Sequence, residues 1–472
     1  MIALTLTEVA DLVGGTLTGT CAPGPTVTGT VTLDSRAVAP GDLFVAVAGE
    51  RVDGHDFLAA AAAAGAVGAV GTRADGALPC VVVPDPVEAL GRLAAGVHRR
   101  LVDGGLLTLG ITGSSGKTST KDLLGQVLAF AGPTVSPPGS YNNDIGLPLT
   151  VLSADEGTRF LVLEMGARGA GHIARLCDVA RPEVGVVLNV GSAHLGEFGS
   201  PEGIAAAKGE LVEALPEGGT AVLNADDPRV LGMAPRTRAR VLTTGRAAEA
   251  DVRAIDVRLD DGARARFTLA AAGEEHPVAL RVIGEHQVAN ALSAAGAALA
   301  AGMTPADVAA ALSAAEPRSR WRMEVERRPD GVTVVNDAYN ANPESMRAAL
   351  AALAGLPATR RIAVLGGMGE LGAGATAEHE RLGRDAMTSG VDLIVAVGPD
   401  AVGIADGAAA AGRSPGKESV HVPDRVAARE LLVTQLRPGD VVLIKASRAY
   451  GLELLAEDLL AAAPDGTAGG AA

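Results

Sequence analysis

The run Thr112-Gly113-Ser114-Ser115-Gly116-Lys117-Thr118-Ser119 carries the residue types that a polyphosphate needs. Glycines let backbone N–H groups turn inward around phosphate oxygens, and a helix N-terminus adds positive potential. Lys117 can reach the β- and γ-phosphates, and the Thr118 hydroxyl can ligate Mg²⁺. A strict P-loop pattern places glycine where this chain has Ile111, so the general motif is matched only in part. A Gly/Ser turn with a solvated lysine is the competing reading. The elements around the loop favour nucleotide phosphate binding, but they leave the reaction open.

Those elements are a strand signal, LLTLGIT from Leu106, and a helix from about Lys117. FLVLEMG (Phe160 to Gly166), a helical stretch, and VGVVLNV (Val184 to Val190) follow. Strands alternating with helices predict an α/β fold with a parallel sheet covered on both faces. Glu164 ends one strand and His194 follows the next, so both are expected at the carboxyl edge, where open α/β sheets bind ligands. Glu164 is a hard oxygen donor suited to Mg²⁺, and His194 fits a second ion. Read singly, Glu164 is a capping or surface carboxylate and His194 a packed loop histidine.

Short β-type runs such as Val81-Val82-Val83 alternate with alanine-rich helical stretches such as Pro86 to Val102 in the first hundred residues. A fresh α/β run opens near Val332, with later strands RIAVLGG, LIVAVG and VVLIKAS. Three α/β units are expected, residues 1–104, 105–316 and 317–464, with 465–472 as a disordered tail. Apolar content of 48% with 20% charged residues fits a soluble globular protein. A net charge of −15 without a basic stripe argues against a general nucleic-acid role. Cys21, Cys80 and Cys177 lie far apart, and MIALTLTEVADLV lacks a basic n-region. The longest uncharged run, Phe57 to Thr72, is too short to span a bilayer. A cytoplasmic protein without membrane insertion is expected.

Ten collinear segments between residues 33 and 453 resemble the Mur ligase family. They are LDSR, GDLFVAVAGERVDGHDF, TGSSGKTS, YNNDIGLPLT, EMGARGAGHI, NVGSAHLGEFGS, AKGEL, GEHQVANAL, NDAYNANPESM and KASRAYGLE. NNDIGLP and DAYNANP lean toward the branch of that family that adds D-alanyl-D-alanine to UDP-N-acetylmuramoyl-tripeptide. The resemblance implies a UDP-binding first domain, a central P-loop domain for ATP, and a Rossmann-like C-terminal domain for the amino substrate; a monomer is expected, though the sequence itself does not determine the oligomeric state. ATP would phosphorylate the acceptor carboxylate, and the dipeptide amine would attack the acyl phosphate.

By the same resemblance, residues 113–119 hold the nucleotide phosphates: Gly113, Ser114, Ser115, Gly116, Lys117, Thr118 and Ser119. Asn290 meets the base, and Arg322 and Asp337 meet the ATP phosphates and ribose. Ser35 and Arg36 match a UDP-contacting segment. Asn142, Asn143, Asn340 and Asn342 lie in substrate-contacting segments, with Lys445, Ser447 and Arg448 on a loop after a strand. Thr118, Glu164, His194 and a CO₂-derived carbamate on Lys208 would ligate Mg²⁺. Read bare, Lys208 is a solvated helix lysine, and Arg322 is one surface charge among several. The chain departs from the family's His-Asn pair with His286-Gln287. A sister ligase for another amino substrate, of MurE or folylpolyglutamate type, is an alternative; so is a P-loop regulatory module. Because Arg322 and Asp337 lie in the third unit and Lys117 in the second, one ATP can touch all three only if the units close together.

Overall fold

The computed structural model describes residues 1–20, 22–191, 195–412 and 419–461. Cys21, His194 and the 465–472 tail lie outside the described residues. Beside a two-stranded antiparallel pair, Leu4–Thr5 with Thr26–Val27, three larger sheets follow one another along the chain. The first has five strands in the order Thr16–Thr18, Cys80–Val82, Gly68–Gly71, Leu43–Val45, Val31–Thr32, parallel except for the first pair. Among the described residues no helix is long and apolar enough to cross a membrane.

The helix Pro86–Asp103 joins this sheet to the next layer. Asp85 caps it by accepting from Val87 and Glu88 N–H, and Pro86 fills a first-turn position whose N–H would have no helical partner. Ala89, Leu90, Leu93, Ala94, Val97 and Leu101 recur at helical spacing and are buried as one face. That face packs on helices Leu6–Val13 and Gly146–Leu152. One apolar cluster therefore runs from Ile2 to Ala239 across the first two units.

The central sheet has nine strands. Leu107–Thr112 lies between Val184–Val187 and Phe160–Glu164, parallel to both, and is almost wholly buried, Thr108 and Thr112 included. The expected parallel sheet is extended by Val252–Leu259, Arg264–Ala271 and Glu274–Ile283, paired antiparallel in sequence order. Turn chemistry accounts for the difference. Ala272 and Gly273 have φ of 52° and 81°, the two positive values that a two-residue hairpin requires. A connection that short can only return the chain antiparallel.

The third sheet runs Glu324–Arg327, Thr333–Asn336, Asp440–Lys445, Arg360–Gly366, Leu393–Val397, Ser419–Val422, with only its first strand antiparallel. Apolar clusters cover both faces, as in a Rossmann-like fold. The last strand inserts between the first two parallel ones, so the winding direction switches there. Asp337, Lys445 and the Gly367–Gly369 turn leave the sheet at that switch, the position where such folds bind ligands.

His98 ties the joining helix to the central sheet. It is buried, and its Nε2 lies 2.8 Å from Thr108 Oγ1. Burial first, then the Arg99 charge, push its pKa down to about 4. The fold thus favours neutral imidazole. The stabilisation is complete above the unfolded value of about 6.5 and is lost as pH falls from there toward 4. Between pH 7 and pH 5 this group should remove about 2 kcal/mol. Urea unfolding should show the wild type losing that much more over this interval than His98→Gln, whose amide still reaches Thr108. Equal losses in both proteins would acquit His98.

Candidate active site

Leu107–Thr112 ends at the phosphate loop, and the helix Lys117–Ala129 starts directly after it. Gly116 has φ of 81°, and a Cβ there would collide with Asn290 Oδ1, so only glycine fits. Asn189 clamps the loop from the next strand end. Its Oδ1 accepts from Ser115 N at 3.0 Å, its Nδ2 donates to Ser115 O at 3.1 Å, and its carbonyl accepts from Ser114 N at 3.1 Å. Lys117 Nζ folds back to donate to the Gly113 carbonyl at 2.7 Å. Its removal from water lowers its pKa; Glu164 opposes the shift and Arg322 adds to it.

Thr118 lies under this loop at a junction of two units. Its hydroxyl donates to Glu164 Oε2 at 2.9 Å and accepts from Arg322 Nη2 at 3.0 Å. Glu164 is buried at the end of Phe160–Glu164, and its other oxygen accepts from Ser140 Oγ at 2.7 Å and Asn142 Nδ2 at 2.8 Å. Two hard oxygens beside a phosphate loop fit Mg²⁺, which binds through few protein ligands and completes its shell with water and phosphate. No group of three His, Cys, Asp or Glu side chains suited to a metal occurs among the described residues. A protein-only metal cage is therefore not what the described residues build.

Lys208 is buried on the helix Pro201–Glu213, only 4% exposed. It lines the same cleft and makes no hydrogen bond or ion pair with a described residue. Burial, then the neighbouring Lys117 charge, hold its amine well below the ordinary lysine range. The bare reading of Lys208 as a solvated lysine does not survive this placement.

The C-terminal unit supplies the opposite wall. Asp337 Oδ1 accepts from Met323 N at 3.1 Å and Oδ2 from Lys445 Nζ at 2.7 Å. Lys445 also donates to the Asn340 carbonyl at 2.9 Å. It is the final residue of its strand and not a loop residue, which is why its ammonium is rigidly aimed. Burial lowers the pKa of Lys445 and of His286, with Asp337 opposing both shifts. Asn342 caps the helix Pro343–Gly355 and donates across to the Ser114 carbonyl at 3.3 Å. With Arg322 on Thr118, the second and third units are in contact at the phosphate loop.

These walls enclose a cleft of about 1070 Å³. It gathers Ser114 to Ser119, Asn142, Asn143, Glu164, Lys208, Asn290, Arg322, Asp337, Asn340, Asn342, Lys445, Ser447 and Arg448. Gln287 accepts from Asn290 Nδ2 at 2.9 Å, so the departure from the family pair leaves Asn290 tethered. Asn143 Oδ1 accepts from Gly146 N, orienting the turn before a helix. Ser35 and Arg36 are not in the cleft; Arg36 is exposed on the first unit and paired with Asp34 at 2.7 Å. Asn189, Ser140 and Tyr339 have site positions that sequence reasoning missed. Asn189 and Tyr339 fall inside two of the segments already quoted, but nothing local identifies partners such as Ser115, 74 residues away.

Comparisons with known proteins agree with this architecture. The Mur ligase family catalytic domain matches residues 28–98, the Mur ligase middle domain 111–298, and the Mur ligase glutamate ligase domain 321–448. The chain belongs to the Mur ligase family. Within it, the chain is 50% identical to the UDP-N-acetylmuramoyl-tripeptide–D-alanyl-D-alanine ligase of Mycobacterium tuberculosis over 98% of each, and 34% identical to that of Escherichia coli over 96% and 97%. A crystal structure of MurF from Acinetobacter baumannii superposes with a TM-score of 0.86 at 31% identity, covering 97% of this chain and 99% of that one. MurF from Thermotoga maritima in complex with ADP gives 0.77 at 32% identity, covering 92% and 97%.

If Lys117 meets the transferring phosphoryl group, Lys117→Ala should lower kcat by about 10²–10³. Circular dichroism should show the fold intact. A variant with near-normal ATP turnover would mean that the nucleotide lies elsewhere.

Proposed function

We propose that the cleft joins D-alanyl-D-alanine to UDP-N-acetylmuramoyl-tripeptide at the expense of ATP. The observation that carries this reading is the junction at Thr118, where a phosphate loop, a carboxylate and a guanidinium from another unit meet at one hydroxyl. In this reading residues 1–104 hold the uridine-diphosphate end through Ser35 and Arg36, 105–316 hold ATP, and 317–464 bring the dipeptide. All groups used lie in one chain, which favours a monomer. ATP and a UDP-linked precursor are cytoplasmic pools, which favours that compartment.

The chemistry is anion meeting anion. An oxygen of the tripeptide's terminal carboxylate attacks the γ-phosphorus, the bond to ADP breaks, and an acyl phosphate forms. The dipeptide amine then attacks the acyl carbon, phosphate leaves, and the amine sheds one proton. Lys117 and Arg322 face the charge that spreads over the transferring oxygens. Thr118 and Glu164 would hold Mg²⁺, which supplies further positive charge to the phosphates. Glu164 is kept aimed by Ser140 and Asn142. Asp337, held by Lys445 and Met323 N–H, presents its remaining lone pairs toward the ribose hydroxyls. Asn340, Asn342 and Ser447 border the space left for the dipeptide.

A buried amine with a depressed pKa and no described partner is also the form that adds to CO₂. The nitrogen bonds to the CO₂ carbon and loses a proton, so the product is an anionic carbamate with two ligating oxygens. On this reading Lys208 joins Thr118, Glu164 and His194 around the metal.

The substrate choice is tested by phosphate release across a matrix of acceptors and amines. Turnover should require ATP, Mg²⁺, the UDP-linked tripeptide and a D,D-dipeptide together. Equal or better turnover with a UDP-linked dipeptide and a single amino acid would transfer the chain to the MurE type. For Lys208, the Ala variant should be nearly inactive and partly rescued by a short carboxylic acid, whereas Lys208→Arg should not be rescued, since its guanidinium fills the space and keeps its charge. Wild-type activity in Lys208→Ala would return that lysine to a structural role.

A further inference from the structure

We propose that Tyr339, backed by the stacked ring of Trp321, is an aromatic platform that positions Arg322 for phosphoryl transfer, an inference that rests on the ligase reading above. The stretch Arg320-Trp321-Arg322 includes the only tryptophan of the chain. The Trp321 and Tyr339 rings stack with centroids 6.5 Å apart and planes inclined by 27°. Three guanidinium groups surround them. Arg322 lies 4.1 Å from the Tyr339 centroid, Arg448 lies 4.2 Å from the Trp321 centroid, and Arg320 lies 5.4 Å from it.

The three cations are not equivalent. Arg320 pairs with Glu457 at 3.0 Å and Arg448 with Glu453 at 2.9 Å. Arg322 has no carboxylate partner among the described residues. It donates to the Thr118 hydroxyl, and its Nε is buried without a partner. With no carboxylate bonded to it directly, its guanidinium rests on the ring face and the Thr118 hydroxyl, which leaves donors available to an anion at the phosphate loop. A planar guanidinium resting on a ring is also pre-organised, so little rotamer freedom remains to be lost when that anion arrives.

The backbone supports the same reading. Trp321 and Met323, on either side of Arg322, have φ of 59° and 53°. Bulky side chains are rarely found in this left-handed region, and such strain persists only where surrounding contacts over-determine it. Here Trp321 N donates to Glu324 Oε2 at 3.0 Å, Met323 N donates to Asp337 Oδ1 at 3.1 Å, and Tyr339 N donates to the Trp321 carbonyl at 3.4 Å. Two of these bonds tie the strained turn to Asp337 and Tyr339. The ribose-facing carboxylate and the phosphate-facing guanidinium are thus set by one rigid unit.

The test is a double-mutant cycle read by single-turnover phosphate release with enzyme in excess over the UDP-linked tripeptide. Losing a face-on cation–π contact corresponds to about a 2- to 30-fold change. Tyr339→Leu should slow the single turnover within that range and, in a separate steady-state assay, leave the KM for the tripeptide unchanged, while Tyr339→Phe, which keeps the ring face, should restore the rate. In the Arg322→Ala background Tyr339→Leu should add no further loss, because its effect runs through the missing guanidinium. Trp321→Phe against Trp321→Leu repeats the comparison at the other ring, should Tyr339→Leu fold poorly. The proposal is overturned by equal losses in both backgrounds, by Phe as poor as Leu, or by Leu without effect. Failure of the ligase reading would look different, since the wild type itself would then not turn over.

Discussion

A single threonine hydroxyl holds the catalytic cleft together. Thr118 Oγ1 donates its one proton to Glu164 and accepts from Arg322, so it sits between a carboxylate of the central sheet and a guanidinium of the C-terminal unit. Glu164 is buried and could not be left unpaired at acceptable cost, since an unpaired buried charge is destabilising by several kcal/mol. The hydroxyl relays between them at hydrogen-bond distance and keeps them from collapsing into a direct ion pair. Such a pair would quench the guanidinium and the carboxylate together. A phosphate–metal group arriving at this point meets donors and acceptors already aimed.

The opposite wall solves the same problem with a direct pair. Lys445 and Asp337 are both buried, 2.7 Å apart, and each makes additional backbone hydrogen bonds. Desolvation of such a pair consumes most of its Coulombic attraction, so its value is geometric and not a large gain in stability. Removing either partner, however, strands the other, typically at about 3–5 kcal/mol. Both residues leave the sheet at the strand-order switch, so the pair fixes where the Asp337 carboxylate points relative to the phosphate loop.

The two inter-unit seams differ in kind. Between the first and second units the seam is apolar and continuous, carried by one face of Pro86–Asp103. Between the second and third, apolar packing is confined to the contribution of Ala263 and Ile283 to the C-terminal cluster, and the contacts at the phosphate loop are polar: Arg322 to Thr118, Asn342 to Ser114, and the Ser319 contacts to Asp122 and Gly139. Polar seams of this sort exchange their partners for water at little net cost, whereas an apolar seam does not.

Local physics made much of this molecule legible from its sequence. The buried parallel strands read as unbroken apolar runs, the phosphate loop follows from glycine spacing between strand and helix, and Glu164 sits at a strand end as periodicity implies. Order along the chain also carried the family resemblance and, with it, most of the residues that line the cleft. What the sequence could not express is anything decided by partners distant in the chain. Asn189 looks like an ordinary loop amide until the fold places it against Ser115. Lys208 looks solvated until the Pro201–Glu213 helix is packed and its amine loses water. Trp321 looks like an apolar filler until three guanidinium groups surround it. The last antiparallel pairing of the central sheet hangs on two positive φ angles at Ala272 and Gly273, and alanine does not advertise that conformation. Burial, desolvation and stacking belong to the surroundings of a side chain, and only tertiary structure assembles those surroundings.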